Sequence, residues 1–252
     1  MKQSFEPFVG EQEYYQDRLQ LSIDPKKFGE IGEALGPEGI GSIVLRNVLN
    51  PAQLTTMRYE IADPARVIWH DNHDQRLTER DITVVQNYDA FALKLLQGDQ
   101  KMVQQVPKMR ALAANIENLV KSLVPEFTSL ADWVADDMSL HRYDDLAVGL
   151  SFHRDNKRFF GMIAVLSLEG VSDFLIKDAA EQIHEFELTP GDLTLTRGTG
   201  LYPTEDGRNL SPDHAVVNLK TPHRTSFIVR ANDRPNDPIP GLIFDNWKPD
   251  AA

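Results

Sequence analysis

A histidine and an aspartate stand two positions apart at His153 and Asp155, and a second histidine, His214, follows far downstream. Two imidazoles and one carboxylate can hold a divalent transition metal on one face of an octahedron and leave three positions free. Mixed nitrogen and oxygen ligands suit iron(II) or manganese(II) better than structural zinc, which prefers four closed ligands. Ten residues past His214 comes Arg224-Thr225-Ser226. A guanidinium beside such a metal is a fixed partner for a carboxylate, because its planar fork donates two parallel hydrogen bonds. Two of the free metal positions could take a chelating 2-oxo acid and the third dioxygen. An H-x-D triplet is a weak signal alone. A distant histidine at a strand start and an arginine on the next strand make the combination specific.

These side chains need a scaffold that points them inward. In a strand, residues i and i+2 share a face, so His153 and Asp155 can both face a barrel interior. From about residue 136 the chain reads as short strands separated by turn signals. Met138 to Tyr143, Phe159 to Leu168, Ser172 to Lys177, Phe186 to Leu188, Asp192 to Thr196, Ala215 to Leu219 and Thr225 to Arg230 are the strand-like runs. Phe159 to Leu168 is nearly continuous in apolar residues, which predicts a strand buried on both faces. No segment between these runs has the length and period of a crossover helix, which argues against a parallel α/β sheet, and a sandwich or barrel is expected. The first part reads as mostly helical with one early strand, Gly41 to Leu45. Asn50-Pro51 gives a cap followed by proline at the first helical position, starting a helix through about Ile61. Gln105 to Leu123 places Met109, Leu112, Ile116, Leu119 and Leu123 three or four apart, an amphipathic helix that Pro125 ends. The expected organisation is one compound domain: residues 1–135 mostly helical, 136–232 the β core with the site, and 233–252 a tail.

At 252 residues with 41% hydrophobic and 25% charged residues, the chain can bury a core without covalent staples. It has no cysteine, which rules out disulfides, thiolate metal sites and a cysteine nucleophile, and fits a reducing compartment. The N-terminus has no apolar run like a signal peptide and no stretch is long enough to span a membrane, so a cytoplasmic protein is expected. A net charge of −12 repels nucleic acid and anionic membrane at long range. The half bearing the site is close to balanced in charge, so a local basic patch is still compatible with it.

His153-Arg154-Asp155, His214 and Arg224-Thr225-Ser226 resemble the iron(II)/2-oxoglutarate-dependent oxygenase superfamily, whose pattern is H-x-D/E, a distal histidine, then R-x-S. The resemblance covers His141 to Asn232. It implies a fold that is mainly β with flanking helices: a double-stranded β-helix (jelly roll) core with N-terminal helical support. The AlkB-like branch is the nearest look. Leu140-His141-Arg142-Tyr143 resembles its N-R-Y strand, with His141 in place of the asparagine, and Arg224 and Arg230 resemble its arginines six apart. The interval from His214 to Arg224 is shorter than in that branch. The roles implied are iron(II) binding by His153, Asp155 and His214, and a salt bridge from Arg224 to the distal carboxylate of 2-oxoglutarate. Ser226 or Tyr143 would add a hydrogen bond, Arg230 would contact Asp155 or the inner carboxylate, and His141 would be either a site residue or a core histidine. The implied activity is a dioxygenase that oxidises a C–H bond with dioxygen and releases succinate and CO2.

Three functions follow. The first is a small-molecule oxygenase, favoured by the acidic charge. The second is an AlkB-like nucleic-acid demethylase, which needs a basic groove around Arg154, Lys157, Arg158 and Arg208 with a stacking partner such as Tyr202 or Trp69. The third is a non-catalytic jelly roll that binds a ligand or senses metal. A peptide substrate is also compatible with the sequence. Trp69 to Asp74 reads as a solvated loop or, if functional, a substrate lip. Arg154, Lys157 and Arg158 read as strand-end charges or anion binders, and Arg197, Tyr202 and Arg208 lie in a long loop of the kind that often acts as a lid. His184 and His223 are expected at the surface, and Trp133 and Trp247 in packing. Pro240 to Phe244 would cover the core or form a dimer contact.

Overall fold

In a computed structural model of the chain, the residues described are 9–79, 82–94, 106–146, 149–202 and 210–232. Arg208, Trp247 and Pro240 to Phe244 lie outside them. The helices are α1 (Val9–Arg18), α2 (Lys27–Leu35), α3 (Pro51–Ile61) and α4 (Pro107–Ser122), with a 3-10 turn at Thr128–Asp132. The strands are β1 (Ser42–Leu45), β2 (His70–Asp71), β3 (Gln75–Glu79), β4 (Ile82–Gln86), β5 (Asp89–Lys94), β6 (Asp137–Tyr143), β7 (Leu150–His153), β8 (Phe159–Glu169), β9 (Ser172–Lys177), β10 (Ile183–Leu188), β11 (Leu193–Arg197), β12 (Asp213–Val217) and β13 (Arg224–Asn232).

The strands form two antiparallel sheets. One has the order β1-β11-β8-β13-β6-β5-β2 and the other β10-β9-β12-β7-β4-β3. The period of two divides the residues of the larger sheet between its faces. On its outer face Met138, Leu140, Met162, Ala164, Leu166, Leu193, Leu195, Phe227 and Val229 join one buried apolar cluster with helix residues such as Ile31, Met57, Met109 and Ile116. The inner face turns His141, Ile163, Thr194, Arg224, Ser226 and Arg230 toward the smaller sheet, around a cavity between the two. Each large aliphatic chain moved from water into the helix-sheet layer contributes about 1.5–3 kcal/mol. The helices thus back the sheet that carries half of the site.

Local signals explain the helices. The side chain of Asn50 accepts from the Ala52 and Gln53 amides, at 3.0 and 3.1 Å, and the Gln53 side chain accepts from the Asn50 amide at 2.8 Å. This reciprocal cap starts α3, with Pro51 at its first position. Pro107 starts α4, whose buried residues include Met109, Leu112, Ile116 and Leu119. Trp133 is a packing residue, fully buried, with its indole N–H donating to the Met162 carbonyl at 3.0 Å.

One stretch departs from the sequence reading. Residues 70–94, taken as part of a mostly helical half, hold the four strands β2 to β5. They lengthen both sheets: β5 pairs with β6, and β4 pairs with β7. Their apolar pattern is irregular because strands near a sheet edge bury only part of one face.

Gly161, in β8, has φ +70, and its amide donates to the Thr199 carbonyl at 2.7 Å. A Cβ there would lie 2.8 Å from the Leu130 side chain and 3.1 Å from that of Trp133. Gly161→Ala is therefore expected to destabilise the protein by about 2–4 kcal/mol, combining left-handed backbone strain with overpacking. Urea unfolding at equilibrium measures it, and a change below about 0.5 kcal/mol, within the range of ordinary surface substitutions, would contradict the packing described.

Candidate active site

His153 ends β7 and His214 is the second residue of β12, and the two are direct partners in the antiparallel ladder. Their rings stand 4.2 Å apart between centroids, inclined at 52°. The sequence reading placed Asp155 on the same strand as His153. The strand instead stops at His153, and Asp155 opens a turn in which the Asn156 side chain accepts from the Arg158 amide at 3.1 Å. The turn, rather than strand alternation, carries the carboxylate to His214, with Asp155 Oδ2 3.4 Å from His214 Nε2. Ligand atoms of His153, Asp155 and His214 all lie within 4.8 Å of one another. Neighbouring ligands of a metal bound at about 2.1 Å stand about 3 Å apart, so this spacing suits one ion.

The protonation of the site suits a metal as well. His153 Nδ1 lies 2.9 Å from the Ser151 carbonyl and His214 Nδ1 lies 3.4 Å from the Pro212 carbonyl. A carbonyl can only accept, so each Nδ1 carries the hydrogen and each Nε2 presents a lone pair. Burial, then the adjacent His214, pulls the His153 imidazole down to about 4, which keeps it neutral at pH 7.

Arg154 and Asp213 flank this pair on the outside. Arg154 Nε and Nη2 donate to the two Asp213 carboxylate oxygens at 2.8 and 3.4 Å. Arg154 is thus committed to a cross-strand clamp beside the ends of β7 and β12 that carry His153 and His214. The pair is half exposed, and exposed pairs contribute at most about 1 kcal/mol. Arg154→Ala should therefore weaken manganese(II) binding by no more than about fivefold. Calorimetric titration would show this, and a loss beyond fiftyfold would mean that Arg154 does more than clamp.

Arg224 begins β13 across the cavity and is 1% exposed. Its Nη1 lies 3.5 Å from the Ser226 hydroxyl, and the Tyr143 ring centroid is 5.3 Å from its Cζ. Its Nε and Nη2 have no hydrogen-bond partner among the described residues. A buried guanidinium with two free donors is costly unless a ligand completes it. Burial draws its pKa down, and burial likewise raises that of the Tyr143 phenol, against the pull of Arg224.

Tyr143, His153, Asp155, His214, Arg224, Ser226 and His141 all line one cavity, with Leu150, Phe174, Leu188 and Val216 as apolar walls. Arg230 lines it too, and its guanidinium is held by Asp137 on β6, at 2.6 and 2.9 Å, rather than by Asp155, one of the two partners the resemblance implied. Antiparallel register explains this, since Arg230 is the direct partner of Asp137. His141 stacks on Tyr88, centroids 4.2 Å apart and planes 17° apart. Burial, then Arg230 and Arg224, holds its imidazole well below the usual range, so it is a neutral wall of the cavity. Tyr88 had no sequence signal. It sits between β4 and β5 and reaches the interior cluster of the smaller sheet only through the fold.

Other candidate residues fall elsewhere. Arg197 is buried and donates to the carbonyls of Leu35, Gly36 and Leu210, joining the end of α2 to the segment before β12. Tyr202 packs edge-on against Phe127. Arg158 is buried and Lys157 exposed in the turn after Asp155. In the stretch from Trp69 to Asp74, His70 and Asp71 form β2 at a sheet edge. Asp71, His73 and Asp89 offer ligand atoms within 4.8 Å of one another, but the cluster is largely exposed and Arg142 donates to Asp89 at 2.6 Å. His184 and His223 pair with Asp178 and Asp144. Among the described residues, no helix is long and apolar enough to cross a membrane.

No family model and no curated protein matches the sequence. Solved structures do match. A Trichoplax adhaerens prolyl hydroxylase, in complex with a hypoxia inducible factor peptide fragment, superposes with TM-score 0.56 at 10% identity, over 83% of this chain and 92% of that one. An oxidoreductase of the 2OG-Fe(II) oxygenase family from Burkholderia pseudomallei gives TM-score 0.50 at 12% identity, over 85% and 95%. A full-length Neurospora crassa protein in complex with alpha-KG and thymine gives 0.56 at 14%, over 83% and 84%. The chain therefore has the jelly-roll fold on which iron(II)/2-oxoglutarate oxygenases are built, as its H-x-D, histidine and arginine pattern implied.

Proposed function

We propose that the protein is an iron(II)- and 2-oxoglutarate-dependent oxygenase that oxidises a C–H bond of a small-molecule substrate. The observation that carries this reading is the juxtaposition, in one cavity, of the His153–Asp155–His214 cluster with the buried Arg224 guanidinium whose Nε and Nη2 have no partner among the described residues. His153 Nε2, a carboxylate oxygen of Asp155 and His214 Nε2 would hold the iron. When bound, iron(II) supplies oxygen activation coupled to decarboxylation of the 2-oxo acid. The chain's own residues do the rest. Arg224 fixes the distal carboxylate of the 2-oxo acid and so orients its other end toward the metal. Leu150, Phe174, Leu188 and Val216 exclude water from the walls. The Nδ1 contacts of both histidines hold the ring orientations.

Charge supports a small molecule over a nucleic acid. The net charge is −12, and Arg154, which a nucleic-acid groove would need, is bonded to Asp213.

The test is an anaerobic titration with iron(II) and then 2-oxoglutarate, followed by the visible charge-transfer band of the chelate. A band that disappears in His153→Ala and needs far more 2-oxoglutarate in Arg224→Ala supports the reading and justifies screening small molecules by succinate release. No band in folded, metal-loaded protein sinks it and leaves a ligand-binding or metal-sensing jelly roll.

A further inference from the structure

Thr196 lines the cavity, and its direct cross-strand partner is Ser42 at the start of β1. Both are buried, and paired residues of an antiparallel ladder share a face. The Ser42 hydroxyl donates to the Leu195 carbonyl at 3.0 Å and stands 3.0 Å from Thr196 Oγ1. A carbonyl can only accept, so the first contact uses the one hydrogen that Ser42 has. Thr196 is therefore the donor in the second. Its own hydrogen is spent on the protein, and its oxygen has a lone pair left for the cavity.

The pair belongs to the end of the cavity where the candidate metal ligands stand. Thr196 pairs with Ile163, and Ile163 with Arg230, near the start of β8. Arg224 lies toward the other end of that strand, since its neighbour Thr225 pairs with Glu169. From Ile163 to Glu169 a strand rises about 20 Å. A chain of contacts ties the pair to His214. A Cβ on Gly41, the residue before Ser42, would lie 3.0 Å from the Pro212 ring, and the Pro212 carbonyl is the one that faces His214 Nδ1. Gly41 has φ +85, which glycine adopts without strain. Around Thr196 the cavity walls are apolar, with Ile163, Val165 and Ile228. Two cations at this end are already matched, Arg230 by Asp137 and Arg154 by Asp213. Thr196 thus offers an oriented acceptor between apolar walls.

We propose that Thr196 is a specificity-determining residue for the primary substrate. Its lone pair, oriented by Ser42, accepts a hydrogen bond from a hydroxyl or N–H group of that substrate. It selects small, neutral, largely apolar molecules that carry such a donor over those that carry only acceptors, which would set two lone pairs against each other. This rests on the oxygenase reading above and names the class of substrate for it.

The experiment uses the full-length protein with manganese(II) and 2-oxoglutarate under anaerobic conditions, once calorimetry has measured the binding of both to the parent. The probes are 2-pyrrolidinone, which has an N–H donor, and N-methyl-2-pyrrolidinone, which keeps the ring and carbonyl but lacks the donor. Their affinities are read from the relaxation that manganese(II) imposes on their protons in NMR titrations, a signal that also places them beside the metal. The parent is expected to favour 2-pyrrolidinone about tenfold, the cost of leaving a buried acceptor without its donor. Thr196→Val, which replaces the hydroxyl by a methyl group, brings the ratio to within about twofold, and Thr196→Ser keeps it near tenfold. Ser42→Ala lowers the ratio too, because the freed Thr196 hydrogen can turn to the carbonyl of either lactam. A threonine that only packs would not answer to Ser42 in this way. Equal affinity of the two lactams in the parent overturns the proposal, as does binding of neither. A preference that survives Thr196→Val or is unchanged in Ser42→Ala also overturns it. A parent that binds neither manganese(II) nor 2-oxoglutarate removes the oxygenase reading itself, and shows this before any lactam is added.

Discussion

Lysine in place of Arg224 weakens 2-oxoglutarate binding by about a hundredfold and leaves manganese(II) affinity where it was. Arg224 is almost wholly buried, and its fork presents two parallel donors that an ammonium cannot reproduce. An ammonium keeps the charge but forfeits a parallel hydrogen bond to the carboxylate, and a lost hydrogen bond to a charged group costs about 1.5–3 kcal/mol. A second consequence has the opposite sign. Without a ligand, Arg224 is a buried cation whose Nε and Nη2 have no partner among the described residues, so Arg224→Met should make the ligand-free protein more stable while abolishing co-substrate binding. Calorimetry with 2-oxoglutarate and urea unfolding without it would measure the two. A Lys variant that binds 2-oxoglutarate as the parent does would remove Arg224 from the site.

The second large effect concerns the metal. Manganese(II) at a hundred times its dissociation constant stabilises a folded protein by about 2.7 kcal/mol, and His214→Ala should lose essentially all of that gain. His214 would be one of three ligands and its Nε2 faces Asp155 Oδ2, so its removal would leave only His153 and Asp155 to hold an ion. The ligand-free variant keeps its fold, since the strand pairing of β12 with β7 and β9 is made by the backbone. Thermal unfolding with and without manganese(II) gives the answer. A parent-sized metal shift in His214→Ala would place the ion elsewhere, for instance on Asp71, His73 and Asp89.

Much of this was legible in the sequence, and the failures have physical causes. The H-x-D spacing located two candidate ligands, but not the turn that presents Asp155, because the strand ends at a point no side chain marks. Arg230 was readable as an inward-facing arginine, since it lies an even number of residues from Arg224. Its partner was not, because Asp137 is brought opposite it only by the register of β6 and β13. β2 to β5 escaped notice because strands at a sheet border lack a clean alternation of apolar and polar residues. Thr194 and Thr196 did leave a trace: two polar residues at alternate positions of a strand that is buried throughout, which marks an inner face with polar work to do.

The last described strand of the chain lies in the middle of its larger sheet. β13 is inserted between β6 and β8, the strand order having left a gap that only residues 224–232 fill. During synthesis, β6 and β8 must therefore wait with open edges until residues 224–232 are made, and the closing contacts span long stretches of sequence, a topology that folds slowly. Arg224 enters on that same strand. Closure of the sheet and delivery of the buried guanidinium are one event, so a chain interrupted before β13 lacks the Arg224 wall of the cavity, and no partly folded form can hold the cavity complete.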